Sequence, residues 1–200
     1  MSNWRPSSGA DVAKQRAELL ARTRAYFDEH AVLGVDTPAL GETSVTDPNI
    51  ESLRVTEGWY LQTSPEYHLK RLLAAGYPDI YSIARVFRGG EKGRRHLPEF
   101  TMVEWYRLGL NLDAIIADAL ALIASVLQQA KLQIDASRDN YAELFATHLG
   151  LDAFSASCEE LADAAAADDD LRTSLGDDRD AWLDLLMATK IATSFAPDSL

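Results

Sequence analysis

Two strand-forming runs joined by a charged loop constrain the fold of this chain more than any other feature. Ile80–Phe87 and Phe100–Trp105 are rich in the β-branched and aromatic side chains that favour strands. The segment from Arg88 to Pro98 contains three glycines and, counted from Arg88, five charged side chains. A loop of this length between paired strands is typically functional, and Pro98 stiffens the return to the second run. The pattern predicts a β-hairpin with a functional loop.

The loop chemistry favours a polyphosphate ligand. Arginine presents a planar fork of N–H donors that matches phosphate oxygens, and glycines let the backbone approach a ligand closely. Five cationic side chains could form a basic patch here, namely Arg85, Arg88, Lys92, Arg94 and Arg95.

Charge and composition exclude several classes of protein. The 200 residues allow one domain with a real core, and 47% hydrophobic with 25% charged residues is ordinary for a globular protein. The net charge of −12 argues against non-specific binding to nucleic acid, including tRNA, because a phosphate backbone would be repelled. No apolar run is long enough to cross a membrane, and the N-terminus lacks a signal-peptide pattern.

The single cysteine indicates a reducing compartment. Cys158 has no second cysteine with which to form an intrachain disulfide. Together with the lack of a signal-peptide pattern, this predicts a cytoplasmic protein without a membrane partner.

Apolar spacing and capping residues predict helices around the central hairpin. Residues 1–10 are rich in Ser, Pro and Gly and are expected to be flexible, and Asp11 is expected to cap a helix that runs to about His30. Ser64 and Pro65 are typical of a helix start, and this helix is expected to end at Gly76. Four further helices are predicted, over residues 108–130, 141–149, 159–167 and 180–190. Asn111 is expected to cap the first of these, and Gly150 to end the second. The acidic run 164–170 is expected to be a link and a solvated helix end.

Extended segments precede and contain the candidate site residues. Val32–Pro38 is predicted to be a short strand, and Thr43–Tyr60 a set of irregular strands and turns. In the second run of the hairpin, strand alternation places Met102, Glu104 and Tyr106 on one face. Thr101, Val103 and Trp105 then point the other way, so the two sets are expected to have different surroundings.

Three ordered stretches carry a resemblance to a known family. The run F-R-x-x-E-x-x-x-x-H-x-P-E-F-T-M-x-E-W-Y resembles motif 2 of class II aminoacyl-tRNA synthetases of the lysine type, and its ending E-W-Y-R is closer to the elongation factor P–lysine ligases. V-D-T-P at Val35–Pro38 resembles motif 1. L-Q-T-S-P-E-Y-H-L-K-R-L-L at Leu61–Leu73 is similar to the amino-acid-site segment. Together these segments cover roughly residues 11 to 190.

The resemblance implies an α+β fold: a mixed, mainly antiparallel sheet flanked by helices. It implies that residues 11–200 form a partial class II catalytic domain, truncated before motif 3, which this chain does not contain. Because motif 1 lies so close to the N-terminus, an anticodon-binding domain is not expected. The likeness to motif 1 also implies a homodimer with Pro38 near its interface.

The resemblance also implies roles for individual residues, with ATP and Mg²⁺ as cofactors and no metal ligand assigned. It makes Arg88 the catalytic contact to the α-phosphate, with Glu91 and His96 near ATP and Phe100 against adenine. It places five residues at a lysine-type amino acid: Ser64, Pro65, Glu66, Glu104 and Tyr106.

Two positions depart from the family pattern. Glu91 is displaced by one place relative to the usual loop carboxylate, with Gly90 in its stead, and Leu97 replaces a polar residue. Taken alone, Ser64-Pro65-Glu66 could be only a helix start, Glu104 a solvent-facing charge and His96 a solvated loop residue.

Three functions remain open at this point. The first is a ligase that activates a lysine-type amino acid as an adenylate and transfers it to a lysine side chain of elongation factor P. The second is a non-catalytic homologue that acts as a dimerisation or nucleotide-binding module. The third is a lysyl-tRNA synthetase-like tRNA ligase, which the negative charge disfavours.

Overall fold

The computed structural model describes residues 5–6, 8–93, 96–127 and 138–195. These residues fall into two compact units, within residues 1–130 and 131–200. The predicted division into a flexible segment 1–10 and a domain 11–200 stays a prediction. Each unit is described by itself below.

The first unit opens with helix α1, Ala10–Glu29, which lies against the central hairpin. Gly9 is its extended N-cap and provides no side-chain hydrogen bond, so Asp11 lies in the first turn instead of capping the helix as predicted. The helix buries Thr23, Tyr26 and Phe27. Its Phe27 ring stacks on Tyr81 with 4.2 Å between the ring centroids.

The predicted hairpin is confirmed. Strands β5, Ile80–Phe87, and β6, Glu99–Tyr106, are antiparallel and in unbroken register. Strand β1, Leu33–Gly34, joins β5 in parallel, which makes a mixed three-stranded sheet with the order β1-β5-β6. The predicted strand over 32–38 is thus only two residues long. On one face of this sheet, Val103 and Trp105 pack against the buried cluster around Phe27.

A second sheet precedes the hairpin and is bonded to it. Gln62 accepts the Phe87 backbone N–H at 2.9 Å and donates from Nε2 to the Arg85 carbonyl at 2.9 Å. These bonds hold the start of the next helix beside the end of β5. The strands of this second sheet are β2, Leu40–Gly41, β3, Arg54–Thr56, and β4, Trp59–Leu61, and they pair antiparallel in the order β2-β4-β3. Helix α2, Glu66–Ala74, follows the sheet.

Helix α3, Leu112–Leu127, completes the first unit. The Asn111 side chain accepts the Ala114 N–H at 2.9 Å, as predicted for a cap. Leu122 is buried against the cluster around Phe27. The predicted extension to residue 130 lies outside the described residues.

The second unit is helical throughout its described residues. It packs a core around the buried Trp182, Phe145 and Leu186. Gly150 ends the first of its helices in the left-handed conformation, as predicted. The helices are α4, Tyr141–Leu149, α5, Cys158–Ala164, α6, Asp169–Leu175, and α7, Arg179–Leu186, followed by a π-helical turn, Met187–Ile191, and a 3₁₀ turn, Ala192–Ser194.

Helix α6 was not predicted from the sequence. The acidic run 164–170 was expected to be a link and a solvated helix end; it contains the end of α5, as expected, and also the start of α6. The Asp168 carboxylate accepts the Leu171 N–H at 2.9 Å, so an acidic residue caps the extra helix. Leu171 and Leu175, four residues apart, pack against the core.

Membrane insertion finds no support in the described residues. None of their helices combines the length and the apolar character that a membrane crossing needs.

Candidate active site

An open cleft of about 620 Å³ is lined by four of the nine predicted site residues. Its walls come from three separate stretches of the first unit. The loop 45–50 forms one wall, the start of α2 a second and the hairpin a third. The predicted site residues that line the cleft are Ser64, Glu66, Arg88 and Glu104.

Arg88 is held in place where β5 ends. Its backbone N–H donates to Pro98 across the hairpin at 2.9 Å, and its Nε donates to the Thr63 carbonyl at 3.3 Å. Nη1 lies 3.6 Å from a Glu91 carboxylate oxygen, and the guanidinium lies 5.3 Å from the Phe100 ring centroid. The cation is thereby oriented by a carbonyl, a carboxylate and an aromatic ring, and it lines the cleft.

The glycines after Arg88 permit a close approach that the sequence could not reveal. The Gly89 N–H donates to the Glu51 carbonyl at 2.8 Å, and a Cβ at Gly89 would lie 2.7 Å from Glu51 Cδ. Gly90 has a φ of +71°, which a glycine adopts without strain. Gly89-Gly90 therefore lets the loop start turn against Glu51.

The remaining loop residues are more exposed. Glu91 lies beside Arg88, and its role at ATP stays a prediction. His96 is exposed, and its carbonyl accepts the Gly93 N–H at 3.1 Å. Leu97 is 65% exposed. The structure does not bring His96 into the lining of the cleft.

Glu104 and Tyr106 form a hydrogen-bonded pair on the same face of β6. The Tyr106 hydroxyl donates to Glu104 Oε1 at 2.8 Å. Burial raises the pKa of Glu104, the Tyr106 hydrogen bond lowers it, and the negative charge of Glu66 raises it further. The pKa of Tyr106 is also raised, first by burial and then by the bond to Glu104. The pair is a half-desolvated acceptor site that a cation would stabilise.

The start of α2 contributes two further groups to the cleft. Ser64 Oγ accepts the Glu66 N–H at 3.3 Å, although Pro65, and not Ser64, is the N-cap. Pro65 is fully buried, so the structure gives it a role in anchoring the helix start and no surface in the cleft. Glu66 forms an ion pair with Lys70 one turn further along α2.

Sequence reasoning missed several residues that build the walls. Thr63 supplies the carbonyl that holds Arg88, and Glu51 supplies the one that holds Gly89. The Tyr67 hydroxyl contacts the Thr46 hydroxyl and accepts the Thr46 N–H at 3.4 Å, which ties the loop wall to α2. Thr63 and Tyr67 lie within the stretch Leu61–Leu73, but no role was predicted for either residue or for Glu51 and Thr46, since each acts through a contact between distant parts of the chain.

A smaller cavity of about 280 Å³ lies beside the cleft and shares part of its wall. Thr63, Ser64 and Glu66 line both spaces. His68 and Arg71, on the next turn of α2, line the smaller cavity alone.

Metal ligands were not predicted from the sequence. Within 5–6, 8–93, 96–127 and 138–195, no group of three or more His, Cys, Asp or Glu side chains is arranged to hold a metal ion. Arg88, Glu66 and Glu104 line the cleft, and Tyr106 is bonded to Glu104.

The fold defines the class of protein. A solved structure with a similar fold is the asparaginyl-tRNA synthetase from Pyrococcus horikoshii complexed with asparaginyl-adenylate. Its TM-score is 0.56 at 18% sequence identity, with 78% of this chain and 42% of that chain covered. The predicted α+β class II synthetase fold is confirmed.

The sequence then gives the family. Residues 2–172 match the family model of tRNA synthetases class II (D, K and N), and the chain belongs to this family.

Curated relatives confirm the predicted resemblance to the elongation factor P–lysine ligases. The "Elongation factor P--(R)-beta-lysine ligase" of Haemophilus ducreyi is 38% identical, with 82% of this chain and 51% of the relative covered. The proteins of the same name from Vibrio vulnificus and Pasteurella multocida are 38% and 34% identical over 94% and 98% of this chain. The chain spans 60% and 62% of the length of these two relatives.

Proposed function

We propose that this chain provides the ATP-binding and amino-acid-binding part of a ligase for elongation factor P. The ligase would activate a lysine-type amino acid with ATP and transfer it to a lysine side chain of elongation factor P in the cytoplasm. The observation that carries the proposal is one cleft lined by both a fixed guanidinium, Arg88, and a carboxylate paired with a phenol, Glu104 with Tyr106. The names of the curated relatives support the same reaction.

The first half of the site suits ATP. The reaction joins the amino-acid carboxylate to the α-phosphorus and releases pyrophosphate, so negative charge must be neutralised there. Arg88 is the group for this charge, and Phe100 offers an aromatic face for adenine. Glu91 orients Arg88, and His96 lies further along the loop for the outer phosphates. Mg²⁺ would enter with the phosphates of ATP.

The second half of the site suits a cationic amino acid. Glu104 lies half-buried, and a bound ammonium would offset the desolvation that raises its pKa. Glu66 adds a second carboxylate in the cleft, and Ser64 adds a hydroxyl. Tyr106 orients Glu104 through its hydrogen bond. Glu66 already pairs with Lys70, whereas an uncharged substrate side chain would leave Glu104 with the Tyr106 hydroxyl and no cation in contact, which favours a lysine-type substrate.

We also propose a homodimer, with the segment that ends at Pro38 near the interface. Leu33 and Leu40, on either side of this segment, are exposed apolar side chains. Sedimentation of the whole protein measures this state directly, and a monomer at micromolar concentration would contradict it.

The first test of the site is isothermal titration of ATP with Mg²⁺ into the 200-residue protein and its Arg88→Ala variant. We expect at least tenfold weaker ATP binding in the variant, because a charged contact to phosphate is lost. Arg85→Ala is the matched control. Arg85 lies on the same strand, is exposed and pairs with Glu99 at 3.4 Å.

The outcomes separate the three candidate functions. Equal ATP affinity in Arg88→Ala and Arg85→Ala would contradict the assignment of Arg88. Binding of ATP without any binding of lysine would favour a nucleotide-binding module. Attachment of lysine by the whole protein to tRNA, and not to elongation factor P, would favour the tRNA ligase.

A further inference from the structure

The buried carboxylate of Asp118, on helix α3, accepts hydrogen bonds from side chains of two other elements. Asp118 Oδ1 accepts the Tyr26 hydroxyl of α1 at 2.7 Å, and Oδ2 accepts the Trp105 indole N–H of β6 at 2.9 Å. Arg107, the residue after β6, donates to Oδ1 at 3.1 Å. The Asp118 side chain is only 9% exposed. One carboxylate of α3 therefore ties both α1 and the end of β6 to its own helix.

Arg107 joins this carboxylate to a second one. Its Nε donates to Asp79 Oδ2 at 2.8 Å, and the Leu108 backbone N–H donates to Asp79 Oδ1 at 2.7 Å. Asp79 immediately precedes Ile80, which pairs with Tyr106 at the end of the hairpin ladder. The side-chain bonds thus continue the pairing of the two strands beyond their last backbone pair.

We propose that Arg107 and Asp118 are positioning residues that hold Glu104 and Tyr106 at the amino-acid end of the cleft. This inference rests on the proposed function, because it assigns the support of the same site. The two residues do not line the cleft, so they act on it through β6.

Strand geometry explains how the support reaches the site. Trp105 lies between Glu104 and Tyr106 and points to the opposite face, where Asp118 holds its indole. A rotation of β6 that moved Glu104 or Tyr106 would have to break the bond of Trp105 as well. The indole, the guanidinium of Arg107 and the ladder to β5 therefore fix the direction of both site residues.

The position of β6 in the sheet makes such support necessary. Among the described residues, β6 is the edge strand of the order β1-β5-β6 and has a backbone partner on one side only. An edge strand is held less firmly than a central one. Side-chain bonds at its end offset this weakness where the site needs a fixed geometry.

The inference also gives a role to a motif that the proposed function leaves unused. The ending E-W-Y-R carried part of the resemblance to the lysine ligases in the sequence analysis, and its arginine is Arg107. In the structure, E and Y form the candidate site pair, whereas W and R hold the strand from behind. The four residues thus alternate between binding and support.

The test is isothermal titration of L-lysine and, separately, of ATP with Mg²⁺ into the 200-residue protein. The variants are Asp118→Asn, which keeps the shape but removes the charge that Arg107 contacts, and Arg107→Lys, whose single ammonium cannot span both carboxylates as a guanidinium does. We expect lysine to bind about tenfold more weakly in both variants. The affinity for ATP should stay within about twofold, because the ATP residues lie elsewhere on the hairpin.

Asp163→Asn is the matched control. Asp163 is the 2.6 Å partner of Arg172 in the second unit, so this variant also removes one carboxylate from an arginine pair. It should leave both affinities unchanged. An equal loss of lysine and ATP affinity in Asp118→Asn would show a general loss of folded protein and would overturn the inference. So would lysine affinity equal to that of the control.

A second readout does not depend on ligand binding. The Glu104 carboxyl carbon can be titrated by NMR in the wild type and in Arg107→Lys. If the strand end loosens, burial of Glu104 decreases and its pKa moves towards the ordinary value. Wild-type protein that binds no lysine would count against the proposed function, and the Glu104 titration would still decide the positioning role. An unchanged Glu104 pKa in Arg107→Lys would overturn it.

Discussion

The two compact units of this chain are stabilised in different ways. The helical unit buries nine residues in one cluster around Trp182, Phe145 and Leu186. The unit with the cleft buries a cluster of five around Phe27 and adds the bonds of Asp118 and Arg107. This unit also buries polar side chains, among them Ser82 and Thr63, whereas the buried cluster of the helical unit consists of apolar residues.

Their charges differ as well. Residues 131–200 carry 15 acidic and five basic side chains, whereas residues 1–130 carry 16 acidic and 14 basic ones. Nearly all of the net charge of −12 therefore belongs to the helical part. The unit that contains the cleft is therefore close to neutral in sequence.

The two units also differ in where their carboxylates lie, and the difference agrees with the proposed position of the site. The cleft holds half-buried Glu104 with a raised pKa, a cost that a binding site requires and a purely structural unit can avoid. In the helical unit, acidic groups instead lie at helix starts, where they satisfy backbone N–H groups. The following predictions test this comparison, beginning with the largest effect.

Trp182→Ala should strongly destabilise the helical unit. The indole is buried and its Nε1 donates to the Gly176 carbonyl at 2.9 Å. Removal of so large a buried side chain costs about 3–5 kcal/mol. Hydrogen exchange should show this loss at the amides of α5 and α7, with a much smaller effect on β5 and β6.

The matched control for this variant is Trp59→Ala, which removes a tryptophan that is 40% exposed. It should cost clearly less. An equal loss of protection at β5, β6, α5 and α7 in Trp182→Ala would mean that the two units unfold together, and the comparison would fail.

Ser157→Ala should have an intermediate effect. The Ser157 hydroxyl accepts the Glu160 N–H at 3.3 Å, and Glu160 Oε2 accepts the Ser157 N–H at 2.8 Å, which forms a complete capping box. Loss of the hydroxyl should lower the free energy of unfolding by about 1 kcal/mol in a urea titration. Ser174→Ala, at an exposed position inside α6, is the control and should be neutral or slightly stabilising.

The smallest predicted effect is a difference in the sign of two pH dependences. The raised pKa of Glu104 means that the folded protein holds this proton more tightly, so its contribution to stability is lost as pH rises through the folded pKa. The pKa of Glu160 is lowered by the N–H and hydroxyl of Ser157, so its contribution is lost as pH falls through the folded pKa.

Glu104→Gln should therefore stabilise the protein at about pH 7, and Glu160→Gln should destabilise it. Both differences from the wild type should shrink at about pH 3.5, where a larger share of each carboxyl is protonated than at pH 7. Urea titrations at the two pH values measure this. The same sign for both variants at neutral pH would contradict the contrast between a binding carboxylate and a capping one.

Local patterns in the sequence were sufficient for the framework of the site. The period-two alternation of strand β6 placed Glu104 and Tyr106 on one face and Val103 and Trp105 on the other, and the structure confirms it. Gly150 was likewise predicted from its neighbours alone. Such features depend on backbone geometry within a few residues, which the sequence specifies directly.

Where local patterns competed, the sequence misled. The acidic run before α6 has the composition of a solvated link, yet Asp168 caps a helix there because Leu171 and Leu175 can reach the core. Asp11 has a side chain typical of an N-cap, but α1 begins at Ala10, so Asp11 lies in its first turn. Burial of an apolar face elsewhere in the unit decides such cases, and a short window does not contain it.

The sequence by itself determined the family, the hairpin and the identity of the charged groups in the cleft. Only the tertiary structure decided how those groups are held. Arg88 depends on the carbonyl of Thr63, 25 residues away, and Tyr26 reaches Asp118 across 92 residues. The physical reason is that a hydrogen bond forms wherever folding brings donor and acceptor together, and this separation leaves no periodic trace in the chain.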